Sequence, residues 1–302
     1  CIRHIIVIGD TPENTTNFNS FVEGAHALTP IESSDDELAF WLYSSGSTGL
    51  PKGVRHLHGS LQATSDTFGQ KVLGIKEDDV VYSAAKLFFA YGLGNAMSFP
   101  MSVGATTLLF ANRPTPDAVT DIIESQKPTI FCGVPTLFAA LLAYQDQRSE
   151  NIDHNLRINT SAGEALPREV GERWNAITGT DIVDGVGSTE MLHIFLSNRP
   201  DDLVYGTSGT AVPGYTVRLV DEVGNDCAVG EIGELIVNGP SSAESYWNRR
   251  EKSKSTFEGH WTRTGDKYEQ TSEGRYIYCG RTDDMFKVSG IWLSPFEVEQ
   301  AI

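Results

Sequence analysis

The sequence is poor in basic residues, with 23 Lys and Arg against 40 Asp and Glu and a formal net charge of −17. Nucleic acids and anionic membranes are bound largely through clustered basic side chains, so we expect neither as a partner. Any anionic ligand must be held by local groups. Nor does any apolar run approach the roughly 20 residues of a membrane span, and the first residues lack a signal-peptide pattern.

Cysteine is also scarce, and the four residues Cys1, Cys132, Cys227 and Cys279 show no C-x-x-C spacing. This argues against a zinc site or a disulfide framework. The sequence therefore predicts reduced, mostly buried thiols in a cytoplasmic protein. We also expect an internal fragment of a longer protein, because residue 1 is not methionine and residue 302 lies inside a predicted helix, 295–302.

Apolar runs alternate with helical patterns through the first two thirds of the sequence. Strands are predicted over 3–8, 39–43, 79–84, 129–134, 157–161 and 181–186, and helices over 59–69, from 116, from 135 and over 167–177. Such alternation indicates βαβ units and a largely parallel sheet. Residues 10–37 are polar and acidic, and we expect them to connect elements. After residue 206, strands over 217–220 and 232–237 and a hairpin over 268–278 predict a β-rich part.

Hydroxyl residues, glycines and a lysine cluster directly after the predicted strand 39–43. They are Ser44, Ser45, Gly46, Ser47, Thr48, Gly49, Lys52 and Gly53. Glycines let backbone N–H groups turn toward an anion, hydroxyls add donors and the lysine adds charge, so this composition suits a polyphosphate. By composition alone, a flexible surface loop is an equal alternative. The spacing is not that of a Walker loop, which needs Gly at Pro51 and Ser or Thr at Gly53.

Two further pairs of segments carry polar residues at ends of predicted strands. The first pair is 161–166 and 184–190, and the second is 261–266 and 278–290. Taken singly, the first pair could be ordinary Gly-rich turns, and Asp266 and Arg281 could be surface charges. In open α/β sheets, however, ligands bind at the carboxyl ends of the strands.

In order and spacing, S-S-G-S-T-G-x-P-K-G at 44–53 and the later blocks resemble the adenylate-forming enzymes, which include acyl-CoA and aryl-CoA synthetases, peptide-synthetase adenylation domains and luciferases. The resemblance covers about 38–302. It implies an α/β fold, with a βαβ-layered N-terminal domain, a β-rich distorted-barrel subdomain and the start of a small α+β C-terminal domain. The implied limits are 1–282 for the large domain, divided into 1–205 and 206–282, and 283–302 for the hinge and small domain.

The resemblance also implies roles for individual residues. Catalytic roles fall on Lys52, Thr48, Thr189 and Glu190, and Glu190 would also hold Mg²⁺. ATP would be bound by Ser44, Ser45, Gly46, Ser47, Gly49, Gly163, Glu164, Ala165, Asp184, Asp266 and Arg281, and Ser289 and Gly290 would face the pantetheine of CoA. Asp283 would be the hinge between the domains. One position departs from the family pattern, because Val186 stands where an aromatic residue often stacks on adenine.

The chemistry implied by the resemblance is attack of a carboxylate on the α-phosphate of ATP, followed by transfer of the acyl group to CoA. The family's adenylation lysine lies near the end of the small domain, beyond residue 302, and Lys287 is a poor substitute. We therefore expect these 302 residues alone not to adenylate at a useful rate. We expect a monomer or a homodimer.

The acid is predicted to bind at Ala90, Tyr91, Gly185, Gly187, His193 and Ile194. An alanine at 90 would leave a buried substrate ammonium unpaired, which disfavours amino acids. Tyr91 offers a flat face, and the two glycines leave a slot for a planar ring. Together with the motif Gly-Ser-Thr-Glu-Met-Leu-His-Ile at 187–194, the pattern resembles benzoate-CoA ligases and the similar 4-hydroxybenzoate enzymes. Phe88 and Phe89 could equally be core residues or pocket residues. His193 could cap a helix, pack structurally or edge the pocket.

Other function classes fit less well. A P-loop NTPase is disfavoured by the spacing after residue 44, and a serine hydrolase by the absence of G-x-S-x-G from the sequence. A non-catalytic nucleotide-binding module remains a third alternative, as does a ligase for another aryl acid or a short-chain acid.

Overall fold

A computed structural model describes residues 2–44, 51–282, 286–288 and 291–293 of the chain. Internal contacts divide the chain into Cys1–Ser33 and Ser34–Ile302. The domain limits predicted at 205 and 282 remain predictions, and the predicted helix over 295–302 lies outside the described residues. None of the helices in the described ranges is long and apolar enough to cross a membrane.

Short strands and helices follow one another along the chain. The described strands are β1 (Ile6–Val7), β2 (Thr16–Asn17), β3 (Leu38–Ser44), β4 (Lys52–Leu57), β5 (Val80–Ser83), β6 (Thr106–Leu108), β7 (Ile130–Gly133), β8 (Ile158–Ser161), β9 (Ile182–Gly187), β10 (Ile194–Ser197), β11 (Thr210–Ala211), β12 (Thr216–Val220), β13 (Ile232–Asn238), β14 (Ser245–Tyr246), β15 (Phe257–Glu258), β16 (Trp261–Gln270), β17 (Tyr276–Arg281), β18 (Phe286–Val288) and β19 (Ile291–Leu293). The described α-helices are α1 (Phe18–Val22), α2 (His58–Thr64), α3 (Ala90–Leu93), α4 (Phe99–Val103), α5 (Pro116–Gln126), α6 (Pro135–Gln145), α7 (Arg168–Thr178) and α8 (Arg250–Thr256). Ser65–Val72 and Gly94–Ser98 are π-helical.

In the unit Cys1–Ser33, β1 pairs in parallel with β2, and α1 follows directly. The side chain of Asn17 caps α1 by accepting hydrogen bonds from the backbone N–H groups of Asn19 and Ser20. The predicted burial of the strand over 3–8 is wrong, because Ile8 is 82% exposed and two paired strands of two residues cannot cover it. Both β2 and α1 fall in the segment predicted to be a connection, since neither is long enough to show a period.

The sheet of the α/β part has the strand order β11-β10-β9-β8-β7-β5-β6. Neighbouring strands from β6 to β9 are parallel, as the alternation of elements predicts. The sequence did not predict β10 and β11, which add antiparallel strands at one edge.

Buried side chains cover both faces of this sheet, because successive residues of a strand point to opposite sides. One face packs against α5, α6 and α7, and its core includes Tyr82, Phe131, Ile182, Val119, Ile123, Phe138, Leu141 and Trp174. The other face includes Val81, Ile130, Cys132, Val183, Phe68, Phe99 and Ile194. This layered arrangement confirms the α/β class.

The later part of the chain is β-rich, as predicted. Its sheet has the order β12-β13-β16-β15 with β17 paired to β16, and all of these pairs are antiparallel. A third sheet, with the order β14-β4-β3, brings the distant residues 245–246 beside the start of the chain's second unit. The sequence did not predict β4. Because Ser44 pairs with Lys52, the predicted polyphosphate loop connects the two strands of a hairpin.

The three cysteines among the described residues form no disulfide. Cys132 and Cys279 are buried and Cys227 is half-buried, in agreement with the prediction of mostly buried thiols. Cys1 lies outside the described residues.

Candidate active site

The strand β8 ends at Ser161, which is paired with Asp184 of the parallel strand β9, and β9 continues to Gly187. The loops that follow them therefore leave the same edge of the sheet, as predicted from their positions after strands. Gly163, at the start of the first loop, has a φ of +96°, and no atom lies within 4 Å of where its Cβ would be. Its left-handed backbone is the feature that favours glycine there.

A cavity of about 390 Å³ opens at this edge. It is lined by Gly163, Glu164, Ala165, Asp184, Gly185, Val186, Gly187, Ser208, Asp266, Tyr268, Tyr278 and Arg281. Six predicted nucleotide-binding residues from four separate segments of sequence thus surround one cavity, which we call the large cavity. Ser208, Tyr268 and Tyr278 were not predicted.

Asp266 and Arg281 face each other across β16 and β17, and the Arg281 Nη1 donates to Asp266 Oδ1 at 2.8 Å. Burial raises the pKa of Asp266, while the charge of Arg281 opposes that shift. A carboxylate acceptor beside a guanidinium donor matches a vicinal diol, which both accepts and donates hydrogen bonds. These two side chains are therefore a suitable ribose site.

Residue 186 is valine and supplies no aromatic ring to the large cavity. The aromatic rings that line this cavity come instead from β16 and β17. Tyr268 and Tyr278 are paired in the hairpin register, and their ring centroids lie 5.4 Å apart in an edge-to-face arrangement. Tyr278 also lines an adjoining cavity of about 370 Å³. These two tyrosines could have been predicted to lie together from the hairpin over 268–278, because the register of its strands places them opposite each other.

Asp184 is buried at the floor of the large cavity, with 6% of its surface exposed. Burial raises its pKa well above the usual range, although the Ser161 hydroxyl and the backbone N–H groups of Leu166 and Gly185 oppose the shift. Among the described residues, none forms a hydrogen bond with its Oδ1 atom. A buried, unsatisfied acceptor of this kind fits a ligand N–H group.

Lys52, Glu190 and Tyr246 form one cluster, although they are far apart in the sequence. The Lys52 Nζ lies 3.3 Å from Glu190 Oε1 and 3.3 Å from the Tyr246 hydroxyl, which itself donates to Glu190 Oε1 at 2.7 Å. Burial alone would raise the pKa of Glu190, but Lys52 and the Tyr246 hydroxyl outweigh it and hold the pKa below its usual value. Glu190 is therefore a carboxylate with one oxygen fixed in place.

The described residues include no cluster of three or more His, Cys, Asp or Glu side chains arranged to hold a metal. Mg²⁺ is commonly bound by one or two carboxylates together with substrate phosphates and water. A single ionised carboxylate at Glu190, beside the predicted polyphosphate loop, fits that mode.

A small cavity of about 100 Å³ adjoins the large one. It is lined by Ala90, Tyr91, Ala162, Gly163, Gly187, Ser188, His193 and Ile194. Five of the six predicted acid-binding residues are among them, and Gly163 and Gly187 line both cavities. Cavities of about 150 Å³ accept benzene, so the small cavity has the order of size of one aromatic ring.

The remaining predicted acid-binding residue, Gly185, lines the large cavity instead. A Cβ there would lie 2.8 Å from the carbonyl oxygen of Leu196, so the space beside it is taken by β10 and not by a slot for a ring. Phe88 and Phe89 are 67% and 55% exposed and line neither cavity. The core role predicted for them is therefore wrong, because the segment before α3 leaves them at the surface.

His193 is packed among aromatic rings. Its centroid lies 5.1 Å from that of Phe68, 4.6 Å from Phe99 and 5.5 Å from Tyr91. Neither ring nitrogen has a hydrogen-bond partner of good geometry among the described residues, so His193 does not cap a helix. Burial lowers its pKa to about 3, and the backbone of Tyr91 opposes that shift.

His56 on β4 is a second fully buried histidine, which the sequence did not single out. Its Nε2 lies 2.8 Å from the carbonyl oxygen of Thr189, the residue before Glu190. Burial lowers its pKa to about 4, against the opposing effects of that hydrogen bond and of the charge of Glu190. The ring is therefore neutral near pH 7, and its Nε2–H donates a hydrogen bond to the carbonyl oxygen of Thr189.

Acidification from pH 7 to pH 5 is expected to lower the free energy of unfolding by about 2 kcal/mol for each of these two histidines. The unfolded chain binds their protons near pH 6.5, whereas the folded pKa values are about 4 for His56 and about 3 for His193. The stabilisation is thus complete above pH 6.5 and is lost as the pH falls toward those values. Urea unfolding at pH 7, 6 and 5 measures it.

His56→Gln should remove the share that His56 contributes to this pH dependence. His260→Gln, a substitution of another histidine at an exposed position, serves as the control. An equal loss of stability between pH 7 and 5 in wild type and His56→Gln would contradict the assignment.

Several predicted site residues lie outside the described residues. They are Ser45, Gly46, Ser47, Thr48, Gly49, Asp283, Ser289 and Gly290. Ser44, which is described, has a buried hydroxyl without a hydrogen-bond partner among the described residues.

Comparison with known proteins shows close relatives along the whole chain. It is 53% identical over 302 residues to a 4-hydroxybenzoate-CoA/benzoate-CoA ligase of Rhodopseudomonas palustris and 54% identical over 302 residues to a benzoate-CoA ligase of Thauera aromatica. A solved anthranilate CoA ligase in complex with anthranoyl-AMP matches 99% of the chain with a TM-score of 0.94 and 43% identity.

All 302 residues of the chain are aligned in the first two matches. They correspond to only 56% and 57% of the lengths of those two relatives, and the chain covers 58% of the solved structure. It thus spans a little over half the length of the relatives it matches. The model of the family described as AMP-binding enzyme matches residues 2–247. These matches confirm the resemblance carried by residues 44–53 and the later blocks. The chain belongs to the AMP-binding enzyme family.

Proposed function

We propose that the protein uses ATP to activate benzoate or a hydroxybenzoate as an acyl adenylate and then forms the thioester with CoA, as an AMP-forming acid–thiol ligase. The observation that carries the proposal is the junction of the two cavities at Gly163 and Gly187. An aromatic acid in the small cavity would have its carboxylate at the mouth of the large cavity, beside the nucleotide. The relatives named for benzoate and 4-hydroxybenzoate, and the complex with anthranoyl-AMP, support the same chemistry.

The large cavity would take AMP. Asp266 and Arg281 would bind the ribose, Asp184 would meet an N–H group of the adenine, and Tyr268 and Tyr278 would pack beside the base. Positioning of the carboxylate for in-line attack on the α-phosphate requires no acid or base from the protein. The site therefore needs groups that orient the two reactants and groups that neutralise charge on the phosphates.

Charge on the departing pyrophosphate would be neutralised by Lys52. Mg²⁺, when bound, would supply further positive charge at the phosphates, with Glu190 and Thr189 as its neighbours on the protein. Lys52 Nζ lies 3.3 Å from Glu190 Oε1, and we propose that Lys52 exchanges Glu190 for phosphate oxygens when ATP binds. CoA would supply the thiol for the second step, so the cysteines of the chain need not take part.

The acid is proposed to be aromatic because the small cavity is apolar and ring-sized, with Ala90 and Ile194 on its wall. No described carboxylate lines this cavity, so the ammonium of an amino acid would be unpaired there. There are two alternatives. One is a ligase for another aryl acid or a short-chain acid, and the other is a non-catalytic nucleotide-binding module.

Stable analogues of acyl adenylates test the proposal with the chain itself. Calorimetry would compare N-acylsulfamoyl adenosines that carry a benzoyl, a 4-hydroxybenzoyl, an acetyl or an alanyl group. We expect the aryl analogues to bind at least about tenfold more tightly than the acetyl and alanyl analogues, because their rings bury apolar surface. Equal affinities would contradict an aryl acid, and no binding of any analogue would contradict the nucleotide site.

Ala90→Leu is expected to weaken the benzoyl analogue by about tenfold and the acetyl analogue much less, because extra side-chain atoms in a small cavity exclude the ring. Ala139→Leu, at an exposed position of α6, is the matched control and should change neither affinity. The same loss for both analogues in Ala90→Leu would indicate general damage to the site and would contradict this assignment of the small cavity.

A further inference from the structure

We propose that Tyr246 and His56 are positioning residues that hold the Thr189–Glu190 turn for the metal-bound nucleotide. The inference rests on the proposed function, in which Glu190 faces Mg²⁺. Neither residue was predicted to belong to the site, and neither lines the large or the small cavity.

Tyr246 reaches Glu190 from β14. It is 4% exposed, and its hydroxyl donates to Glu190 Oε1 at 2.7 Å. The same segment also holds the backbone of Glu190, because the Ala243 N–H donates to the Glu190 carbonyl at 2.8 Å. One carboxylate oxygen is thus fixed by a neutral donor, and the other can face a cation.

His56 holds the same turn from β4, the central strand of the β14-β4-β3 sheet. Its Nε2 donates to the carbonyl of Thr189 at 2.8 Å, and its ring stacks on Phe40 with the centroids 5.4 Å apart. Burial of an imidazole with only one hydrogen bond destabilises the fold, because its second nitrogen is left without a partner among the described residues. Leu or Met would fill the same space without a buried polar atom. The donor at Nε2 is therefore the property that the site uses.

Lys52 links this support to the ligand. Its Nζ lies 4.7 Å from the centre of the Tyr246 ring, as well as within 3.3 Å of both the Tyr246 hydroxyl and Glu190. When Lys52 turns to phosphate, Glu190 loses its cation. We infer that the bond from Tyr246 then keeps the carboxylate in place, so that it is already oriented when the metal arrives.

Tyr246→Phe tests this in the 302-residue chain, with calorimetry of ATP plus Mg²⁺ and of AMP in EDTA. We expect the affinity for ATP with Mg²⁺ to fall about tenfold, as for loss of a hydrogen bond to a charged group, and the affinity for AMP to stay within about twofold. A merely structural role would lower both affinities together. Tyr205→Phe is the matched control, since the Tyr205 hydroxyl also donates to a carboxylate, Asp181, away from the site.

The His56 substitutions provide an independent measurement if Tyr246→Phe does not fold, as judged by thermal unfolding. His56→Met, which lacks a donor, is expected to weaken ATP with Mg²⁺ about fivefold relative to AMP, and His56→Gln, which places an amide N–H near the position of Nε2, to restore most of it. Equal affinities of the folded variants and wild type for ATP with Mg²⁺ would overturn this inference alone. An unmodified chain that binds no nucleotide would overturn the proposed function, and the inference with it.

Discussion

Lys52→Met is expected to weaken the binding of ATP with Mg²⁺ by about a hundredfold, comparable to the removal of a charge-stabilising donor from an active site. Lys52 belongs to the predicted polyphosphate loop and is the first residue of β4, and its side chain is only 19% exposed. A partly buried ammonium near phosphate oxygens is screened little by solvent. The measurement is calorimetry with ATP plus Mg²⁺ and, in parallel, with AMP.

Two effects of this substitution oppose each other. Without Lys52, Glu190 loses its ion-pair partner at 3.3 Å and would attract Mg²⁺ more strongly, but the triphosphate loses a direct cation. We expect the second effect to win, because several phosphate charges act on the lysine and one carboxylate acts on the metal. Lys52→Arg should retain most of the affinity, and Lys76→Met, at an exposed position, all of it. An unchanged affinity for ATP in Lys52→Met, or an equal loss for AMP, would contradict the role.

Asp79→Ala is expected to lower the free energy of unfolding by about 3 kcal/mol, because several hydrogen bonds to a buried carboxylate are lost. Asp79 is 4% exposed and accepts hydrogen bonds from Arg157 Nε at 2.8 Å and Nη2 at 2.6 Å, and from Thr129 Oγ1 at 2.7 Å. Arg157 also donates to the carbonyls of Leu73 and Gly74. Asp79, at the start of β5, thus contacts Thr129 and Arg157, which precede β7 and β8. Arg157 in turn contacts the residues that follow the π-helical segment.

The pH dependence of this contribution has a definite sign. Burial would raise the pKa of Asp79, but the hydrogen bonds from Arg157 and Thr129 outweigh it and lower the pKa below 3.8. Because the folded pKa is depressed, the stabilisation is complete at pH values above the unfolded pKa and is lost as the pH falls through the folded pKa.

Urea unfolding at pH 7 measures the loss of stability in Asp79→Ala, with Asp78→Ala at the neighbouring exposed position as control. Equal stabilities of the two variants would contradict the account.

The sequence predicts the parallel part of the fold well, because its strands are apolar runs separated by helices of ordinary length. It does not predict β4, β6, β10 and β11. The strand β4 follows the glycine-rich loop without a clear period, and it is stabilised by pairing with β14, whose residues lie about 190 positions later. Strands that exist through such distant pairing leave little local pattern.

The candidate site is predictable where its residues form compact blocks, as at Gly163–Ala165 and around Asp266 and Arg281. Tyr246 and His56 could not be found in this way, because their importance lies in single contacts with Glu190 and Thr189 across the fold. Phe88 and Phe89 show the converse error, since an apolar run that resembles core proves to be exposed.

Thioester formation tests the central claim most directly. The protein that carries this chain, at the full length of its relatives, would be given ATP, Mg²⁺, CoA and a panel of carboxylates, and the acyl-CoA products would be measured. The account predicts that benzoate and its hydroxy and amino derivatives give thioester, with little product from acetate or from amino acids. Inactive aromatic acids beside active short aliphatic acids or amino acids would contradict it.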